Sequence, residues 1–386
     1  MAFSSEEFLS HRLSIRDMGE RILIHCDLDA FFAAVESIHH NLDPNIPLII
    51  GSDPKNGQGR GIVSTCNYAA REYGIHSAMP ISEAWRRCPG QPLGPALYHR
   101  GVRRLYRRAS NRVMAILSNY ADLFEQASID EAYLDVTERC NGDWNLAESL
   151  CRTLQQLIMD DISLSASFGI GPTRVVAKMA SEARKPGGVF LVPPGGLQQF
   201  FSSHPCRAVP GIGPRAAQML GELGIMTLED AYREGPDLLT DAMGSRRANS
   251  LWRILEGESS NEVSVLRSRK SIGKEHTFPH DIETPEIVFD MLERLIVKVT
   301  GRLRDLEITA RNIEVKLRYH GFETISHAKS LAVSMDDVET FQRMASTLLA
   351  NVYDTSRRIR LVGFRVGDLE DPPNRQSTLS TYSEEE

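Results

Sequence analysis

The chain has 386 residues, of which 41% are apolar and 25% are charged, and its formal net charge is −7. This length predicts two to four domains with sizeable cores. No apolar run approaches the ~20 residues of a membrane-spanning helix, and the amino terminus lacks the apolar core of a signal peptide, so we expect a cytoplasmic protein. The six cysteines include no Cys-x-x-Cys pair, which argues against a disulfide framework and a zinc site.

After a polar lead-in at residues 1–20, the first strong pattern is an apolar run that ends in acidic residues. Residues 21–29 read RILIHCDLD, which is typical of a central strand whose carboxyl end opens on a site. The simpler interpretation of Asp27 is a capping residue at a strand end. An Asp-x-Asp phosphatase loop is disfavoured because Phe31 stands where that loop would have threonine.

A short helix over 30–38 follows, and residues 39–98 are then rich in loops. Within them Thr65, Tyr68 and Arg71 supply hydroxyl donors and a guanidinium, which together suit phosphate oxygens. A helix over 100–120 carries a cluster of arginines, a pattern more typical of a solvated helix face than of a binding site.

Two adjacent acids, Asp130 and Glu131, lie where the chain turns between the apolar stretches 123–127 and 132–136. Strand alternation would point neighbouring side chains to opposite faces, so if both act at one site, at least one belongs to the turn. Solvated turn formers are the simpler interpretation of such a pair. The strand-end aspartate about a hundred residues earlier favours a functional one.

The element order over residues 21–185 predicts how these acids meet. The later elements are a helix over 145–159, a strand over 163–170 and a helix over 173–184. The whole order is typical of a ferredoxin-like split βαβ domain with an insertion after its first strand. Its first and third strands are neighbours at the centre of the sheet, so Asp27 is predicted to lie beside Asp130 and Glu131.

Residues 208–225 favour a helix-hairpin-helix. Its turn is Pro-Gly-Ile-Gly, in which Gly211 and Gly213 would let backbone N–H groups at a helix start approach a DNA phosphate. An ordinary helical turn without a ligand is the alternative.

A second module follows the polar stretch 256–264, which suits a flexible tether. Its predicted elements are strands over 269–278, 311–319, 323–331 and 357–366 and helices over 285–305 and 336–352. Basic residues on or beside these strands could track a duplex backbone, among them Arg269, Lys270, Arg318 and Arg358. A solvated sheet face is the alternative.

Six stretches resemble, in order, the motifs of the Y-family (translesion) DNA polymerases, in their DinB or polymerase IV branch. They lie at 25–36 (HCDLDAFFAAVE), 64–71 (STCNYAAR), 128–135 (SIDEAYLD), 168–188 (FGIG to KPGG), 209–213 and 269–273. The resemblance covers about residues 21–366. It implies an α+β multidomain fold: a ferredoxin-like palm with inserted fingers, a helical thumb with a helix-hairpin-helix, and a second βαββαβ domain, the little finger.

By position, the resemblance also implies the domain bounds. They are lead-in and first palm strand 1–30, fingers 31–98, palm 99–192, thumb 193–258, tether 259–268, little finger 269–366 and a disordered tail 367–386.

The same resemblance implies a set of site residues. The metal ligands would be Asp27, Asp130, Glu131 and the Leu28 carbonyl, holding two Mg²⁺ ions for which Mn²⁺ could substitute. The nucleotide would meet Phe31, Thr65, Tyr68, Arg71 and Lys185. Phe32 would exclude ribonucleotides as a steric gate, and Ser64 would lie over the nascent base pair.

The implied function is template-directed addition of dNTPs to a primer 3′-hydroxyl by two-metal phosphoryl transfer. Low fidelity and translesion synthesis in DNA repair would follow from small fingers, and the chain would act on primer–template DNA as a monomer. In the tail, Gln376, Leu379 and Tyr382 resemble a degenerate sliding-clamp-binding peptide.

Three rival functions have the same elements. One is an inert DNA-binding scaffold, which the three intact carboxylates disfavour. Another is an RNA-binding protein, which residues 311–319 disfavour because they lack stacking aromatics in the pattern of such modules. The third is a template-independent transferase on the same scaffold.

Overall fold

The structure, a computed structural model, describes residues 21–264 and 269–372. The chain divides into two compact units, Met1–Leu266 and Arg267–Glu386. The lead-in at 1–20 and the tail peptide at 376–382 lie outside the described residues. Within the described ranges, no helix has the length and apolar character needed to span a membrane.

The first unit has mixed helices and strands. In chain order they are β1 (Leu23–Leu28), α1 (Phe31–His40), β2 (Leu48–Gly51), β3 (Val63–Cys66), α2 (Tyr68–Arg71), α3 (Ile81–Arg87), β4 (Leu97–His99), α4 (Arg103–Ser118), β5 (Leu123–Gln126), β6 (Glu131–Asp135), α5 (Trp144–Ile162), β7 (Ala166–Gly171), α6 (Arg174–Glu182), β8 (Val189–Leu191), α7 (Leu197–Ser202), α8 (Pro214–Glu222), α9 (Leu228–Met243) and α10 (Ser245–Leu255). Helices α1, α4, α5 and α6 confirm the helices predicted at 30–38, 100–120, 145–159 and 173–184.

The main sheet of this unit has the order β5-β6-β1-β7-β8. Strand β1 is antiparallel to both β6 and β7, as the split βαβ prediction requires. All six residues of β1 are buried, because a central strand covered on both faces has no solvent side. Strand β8, which runs parallel to β7, was not predicted.

The two faces of the main sheet bury alternate residues of the same strands. Ile24 and Leu134 belong to the large core that includes residues of α4 and α5. Leu23 and Tyr133, one position away on each strand, contact Ala177 of α6 on the other face. This alternation follows from the two-residue period of a strand.

The insertion after β1 has its own small sheet of order β3-β2-β4, with a separate core around Ile49, Val63 and Ile81. Helices α7 to α10 share a third core, centred on Leu220, Leu228 and Leu251. All six cysteines are buried and unpaired, which agrees with the absence of a disulfide framework.

The prediction of a flexible tether over residues 259–268 is wrong for its described part, residues 259–264, because this segment packs against the main sheet. Val263 is 4% exposed and packs with Leu23, Tyr133 and Ala177. The backbone around Val263 is also held: the Arg174 guanidinium donates to the Glu262 carbonyl at 2.9 Å. A single apolar residue within a polar stretch is enough to dock it when a matching site exists, and composition alone does not show that site.

The second unit forms a four-stranded sheet with two helices. Its elements are β9 (Ser271–Ile282), α11 (Pro285–Asp305), β10 (Thr309–Tyr319), β11 (Thr324–Met335), α12 (Val338–Val352) and β12 (Ile359–Glu370). Every predicted element is present. The last strand runs to Glu370, so residues 367–370, placed by the sequence in a disordered tail, belong to the sheet, with Thr309 paired to Glu370.

The two sheets share the β-α-β-β-α-β element order but differ in strand order. In the first unit the central neighbours are β1 and β6, the first and third strands of the motif; in the second they are β10 and β12, the second and fourth. Each helix still connects two strands separated by one other, so both are split βαβ arrangements.

Candidate active site

The three predicted metal-binding carboxylates come together at one end of β1 and β6. Asp27 and Glu131 are direct partners in the antiparallel register of these strands. Asp130 precedes β6 in the turn, and its carbonyl accepts a hydrogen bond of 3.0 Å from the Leu28 N–H. The expectation that one of the acidic pair belongs to the turn is therefore confirmed, and the Leu28 backbone lies beside both acids.

Ser128 organises this turn, a role that the sequence analysis missed. Its hydroxyl donates to the Asp130 carboxylate and accepts from the backbone N–H groups of Asp130, at 3.1 Å, and Glu131, at 3.0 Å. A serine two residues before an aspartate in a turn is a known local signature of this kind of bonding, so the signal was available. Ser128 thereby fixes the direction of the Asp130 side chain.

Two lysines contact the carboxylates. Lys185 Nζ lies 2.7 Å from Asp27 Oδ1 and 2.6 Å from Glu182 Oε1. Lys178 Nζ lies 2.6 Å from Glu131 Oε1. Lys185 was predicted to belong to the site; Lys178 was not, because its place on α6 becomes informative only when that helix is packed on the sheet.

The pKa values of the two paired acids move in opposite directions. Burial raises the pKa of Asp27 to about 7, although Lys185 opposes the shift. His25 and Lys178 together lower the pKa of Glu131 to about 2, although burial opposes them. His25 Nε2 lies 3.7 Å from Glu131, whereas Lys178 lies at hydrogen-bond length, so the lysine is the closer partner.

Asp29, on the same face of the chain as Asp27, serves the structure around the site. It is buried, and its carboxylate accepts hydrogen bonds from Ser165 at 2.6 Å, from Ser167 at 2.8 Å and from the Gly187 N–H at 2.9 Å. The Tyr68 hydroxyl lies 3.5 Å away. With its oxygens engaged in this way, Asp29 links β7, the loop after α6 and Tyr68.

The predicted phosphate-binding residues of the insertion lie on β3 and α2. Ser64 is exposed and Thr65 half-buried, and the exposed Arg71 places its guanidinium 4.5 Å from the centre of the Tyr68 ring. Helix α2 begins where it does because the Asn67 side chain accepts from the Ala70 N–H at its first turn.

Phe31 and Phe32 have different surroundings. Phe31 is 3% exposed and belongs to the main core, so its predicted substrate contact could be made only through its backbone. Phe32 is half-buried and stacks on Tyr106, with ring centres 4.2 Å apart and planes at 11°. The Tyr106 hydroxyl donates to Glu36 at 2.5 Å, which fixes the ring behind Phe32.

The turn before α8 has the open backbone that the sequence analysis predicted. Gly211 has φ +99°, where a side chain would be strained, and Gly213 is the residue before the helix. Nothing lies within 4 Å of where a Cβ would stand on either glycine. The preceding element is a short 3₁₀ turn, Cys206–Ala208, rather than a long first helix.

In the second unit, two of the four predicted DNA-binding residues, Arg318 and Arg358, contact an acid or a hydroxyl. Arg358 contacts Glu283 at 2.7 Å, and Arg318 donates to the Thr324 hydroxyl at 2.8 Å. Arg269 and Lys270 are exposed just before β9. The strand pattern did not show these contacts, because Glu283 and Thr324 belong to other segments of the chain than the arginines that they contact.

Comparison with known proteins gives the family. Residues 26–182 match the impB/mucB/samB family and residues 269–379 match its C-terminal domain. The chain is 36% identical over 367 residues to DNA polymerase IV of Methanoculleus marisnigri, covering 94% of this chain and 99% of that one. It is 37% identical over 350 residues to DNA polymerase IV of Listeria monocytogenes serotype 4a, covering 90% and 95% respectively.

Solved structures agree with this assignment. A Y-family DNA polymerase chimera matches with a TM-score of 0.82 at 28% identity, covering 91% of this chain and all of that one. The insertion ternary complex of Dbh DNA polymerase matches with a TM-score of 0.64 at 28% identity, covering 90% and 98%. The chain therefore belongs to the impB/mucB/samB family, in the DNA polymerase IV branch of the Y-family, a family of DNA-directed DNA polymerases.

Proposed function

We propose that the chain copies a DNA template by adding dNTPs to a primer 3′-hydroxyl, with two divalent ions, at low fidelity and across damaged bases. The observation that carries this proposal is the meeting of Asp27, Asp130 and Glu131 at one end of β1 and β6, beside Lys185. The substrates are supported by the likeness to an insertion ternary complex of a DNA polymerase.

The donor set of the site fits hard divalent cations. Three carboxylates and the Leu28 carbonyl are oxygen ligands of the kind that Mg²⁺ prefers and Mn²⁺ accepts. Asp27 and Glu131 each contact a lysine ammonium, so the site already stabilises positive charge. When bound, two Mg²⁺ ions would activate the primer hydroxyl and neutralise charge on the leaving pyrophosphate.

Lys185, Tyr68, Arg71 and the Thr65 hydroxyl would bind the triphosphate. A lysine is a flexible point charge, so Lys185 can exchange its contact with Asp27 for a phosphate oxygen. Arg71 offers a planar fork of donors that matches two phosphate oxygens at once. The exchange by Lys185 would leave Asp27 ready to bind a metal ion as the nucleotide arrives.

Phe32 would exclude ribonucleotides by steric clash with the 2′-hydroxyl. Its ring cannot retreat easily, because Tyr106 stacks behind it and the Tyr106 hydroxyl is bonded to the buried Glu36. Ser64 presents a small exposed side chain on β3, which would leave room over a distorted base pair and supports low fidelity.

The DNA would be held mainly through its phosphates. The open turn at Gly211 and Gly213 can bring backbone N–H groups to one strand, and Arg269 and Lys270 offer exposed charge. The chain would work as a monomer in the cytoplasm, and its tail would bind a sliding clamp. Deleting residues 374–386 should then spare basal synthesis and remove stimulation by the clamp.

The decisive experiment is primer extension by Asp130→Asn on templates with and without an abasic site. We expect loss of extension with primer–template binding retained, whereas Asp160→Asn, the same change on the exposed side of α5, should extend normally. Full activity of Asp130→Asn would overturn the assignment. Addition of nucleotides regardless of the template base would instead favour a template-independent transferase.

A further inference from the structure

Three metal-ligating side chains meet outside the active site, where α1 lies against β4. Glu36 and His40 are four residues apart on α1 and so share one face of the helix, and His99 ends β4. His40 Nε2 lies 3.1 Å from Glu36 Oε2, and His99 Nδ1 lies 4.0 Å from the same oxygen. The candidate ligand atoms all fall within 4.8 Å of one another.

The Glu36 carboxylate is unusual because it is wholly buried and only half satisfied. Its Oε1 accepts from the Tyr106 hydroxyl at 2.5 Å and from the Val102 N–H at 3.2 Å. Its Oε2 is buried and makes no hydrogen bond within the described part of the chain, although it is aimed at the two imidazoles. A buried carboxylate oxygen without a partner is costly, and a bound cation would supply the missing partner.

We propose that Glu36, His40 and His99 form a second metal site, for Zn²⁺ or a similar borderline-soft divalent cation. Two imidazoles and a carboxylate are a familiar three-ligand set for zinc, with water in the fourth position. Tetrahedral ligands at 2.0–2.1 Å from zinc are about 3.3 Å apart. The Glu36–His40 separation already fits, and the widest separation in the set, up to 4.8 Å, must close by about 1.5 Å on binding.

The site is open enough for a metal ion to enter from solvent. The His40 and His99 side chains are 44% and 29% exposed, whereas Glu36 forms the buried floor. The donors also separate this site from the catalytic one, because imidazole nitrogens favour zinc and all-oxygen sets favour magnesium. A Glu/His site needs no cysteine, so the absence of a Cys-x-x-Cys pair does not exclude zinc at Glu36, His40 and His99.

A metal here would tie α1 to β4, an edge strand of the inserted sheet. It would also bind the carboxylate that holds Tyr106, the ring on which Phe32 stacks. The site is therefore structural, and its existence does not depend on the role proposed for Phe32.

The test is zinc binding by the full chain in excess Mg²⁺, which occupies all-oxygen sites. Zinc retained per chain is measured by competition with a chromophoric chelator, and Co²⁺ replaces it to give the absorption bands of a tetrahedral nitrogen-containing site. We expect one tight equivalent in the parent chain, and at least a tenfold loss of affinity in His40→Gln and in His99→Gln. His39→Gln, which removes the exposed neighbouring histidine, should bind as the parent does.

Thermal unfolding with and without Zn²⁺ is a second readout that needs no activity. The parent and His39→Gln should be stabilised by zinc, and the His40 and His99 variants should not, although all should unfold alike without the metal. Equal zinc binding by the parent, His40→Gln and His99→Gln would overturn the proposal. So would a loss of binding in His39→Gln as large as in the other two.

Discussion

Asp27 and Glu131 face each other across β1 and β6, yet the pKa of Asp27 is raised to about 7 and that of Glu131 lowered to about 2. The pair therefore holds one negative charge over most of the acidic range, on Glu131. Burial raises the pKa of Asp27, whereas His25 and Lys178, the latter at 2.6 Å, lower the pKa of Glu131. The two carboxyl groups thus have different pKa values because their neighbours differ.

Removing the charge at Asp27 should stabilise the fold while abolishing synthesis. The pKa of Asp27 is about 7 in the folded chain and has its ordinary value of 3.8 in the unfolded chain. Between these two pH values, the folded chain keeps a proton on Asp27 that the unfolded chain has released. Stability therefore falls as the pH rises through this window, and Asp27→Asn removes that loss. We expect the melting temperature, measured without divalent ions, to rise more at pH 8 than at pH 5, by about 2–4 °C per kcal/mol.

The control for that experiment is Asp160→Asn, which changes an exposed aspartate on α5. It should leave the melting temperature unchanged at both pH values. An equal or lower melting temperature of Asp27→Asn at pH 8 would contradict the cost assigned to the buried carboxylate.

Lys178→Met should move the acid limb of the pH–activity profile to higher pH. Without the ammonium, the pKa of Glu131 rises towards its ordinary value, so the carboxylate protonates earlier as the pH falls. Primer-extension rates measured from acidic to neutral pH test this. Lys178→Arg keeps the positive charge and should leave the pH–activity profile unchanged. A shift of the acid limb by the same amount in both variants would show that the charge of Lys178 is not its cause.

Ser128→Ala should lower kcat by about tenfold, because the bond from the Ser128 hydroxyl that directs the Asp130 carboxylate is lost and such a bond is worth about 1.4 kcal/mol. Ser128→Thr retains the hydroxyl and should remain close to the parent. The measurement is single-turnover extension at saturating dNTP. Parent-like rates in Ser128→Ala would mean that Asp130 is directed by other contacts.

Phe32→Ala should raise ribonucleotide incorporation strongly, and Tyr106→Ala should raise it in part, because the ring behind the gate is lost. Tyr106→Phe keeps the stacked ring and should discriminate nearly as well as the parent. The ratio of kcat/KM for dNTP and NTP reports the effect. Unchanged sugar selectivity in Phe32→Ala would refute the gate.

Val263→Ala should destabilise the first unit by about 2 kcal/mol, because it empties the contact with Leu23, Tyr133 and Ala177. Val333→Ala, in which the parent side chain is 59% exposed, is the matched control and should have little effect. Thermal or urea unfolding measures both. Equal stabilities of the two variants would mean that the segment is loosely held after all.

The local features of this chain follow from the amino-acid pattern over a few residues. Apolar runs, turn residues and helix signals predicted β1, β5, β6 and β7 and all six elements of the second unit, because side-chain periodicity and capping act over a few residues. They did not predict the short strands β2, β4 and β8. The helix predicted at 285–305 is α11 to the residue. The order of elements was also enough to predict that Asp27 meets Asp130 and Glu131, since a split βαβ arrangement leaves that pair of strands adjacent.

Contacts between residues far apart in the sequence depend on the folded chain as a whole. Lys178 on Glu131, Val263 under the palm sheet and His99 beside Glu36 each depend on strand register and helix packing, which no local pattern encodes. Strand order also depends on the whole unit, because the two modules have the same element order but different central strands. Local preferences fix which elements form, whereas burial and partner satisfaction across the whole unit fix which side chains meet.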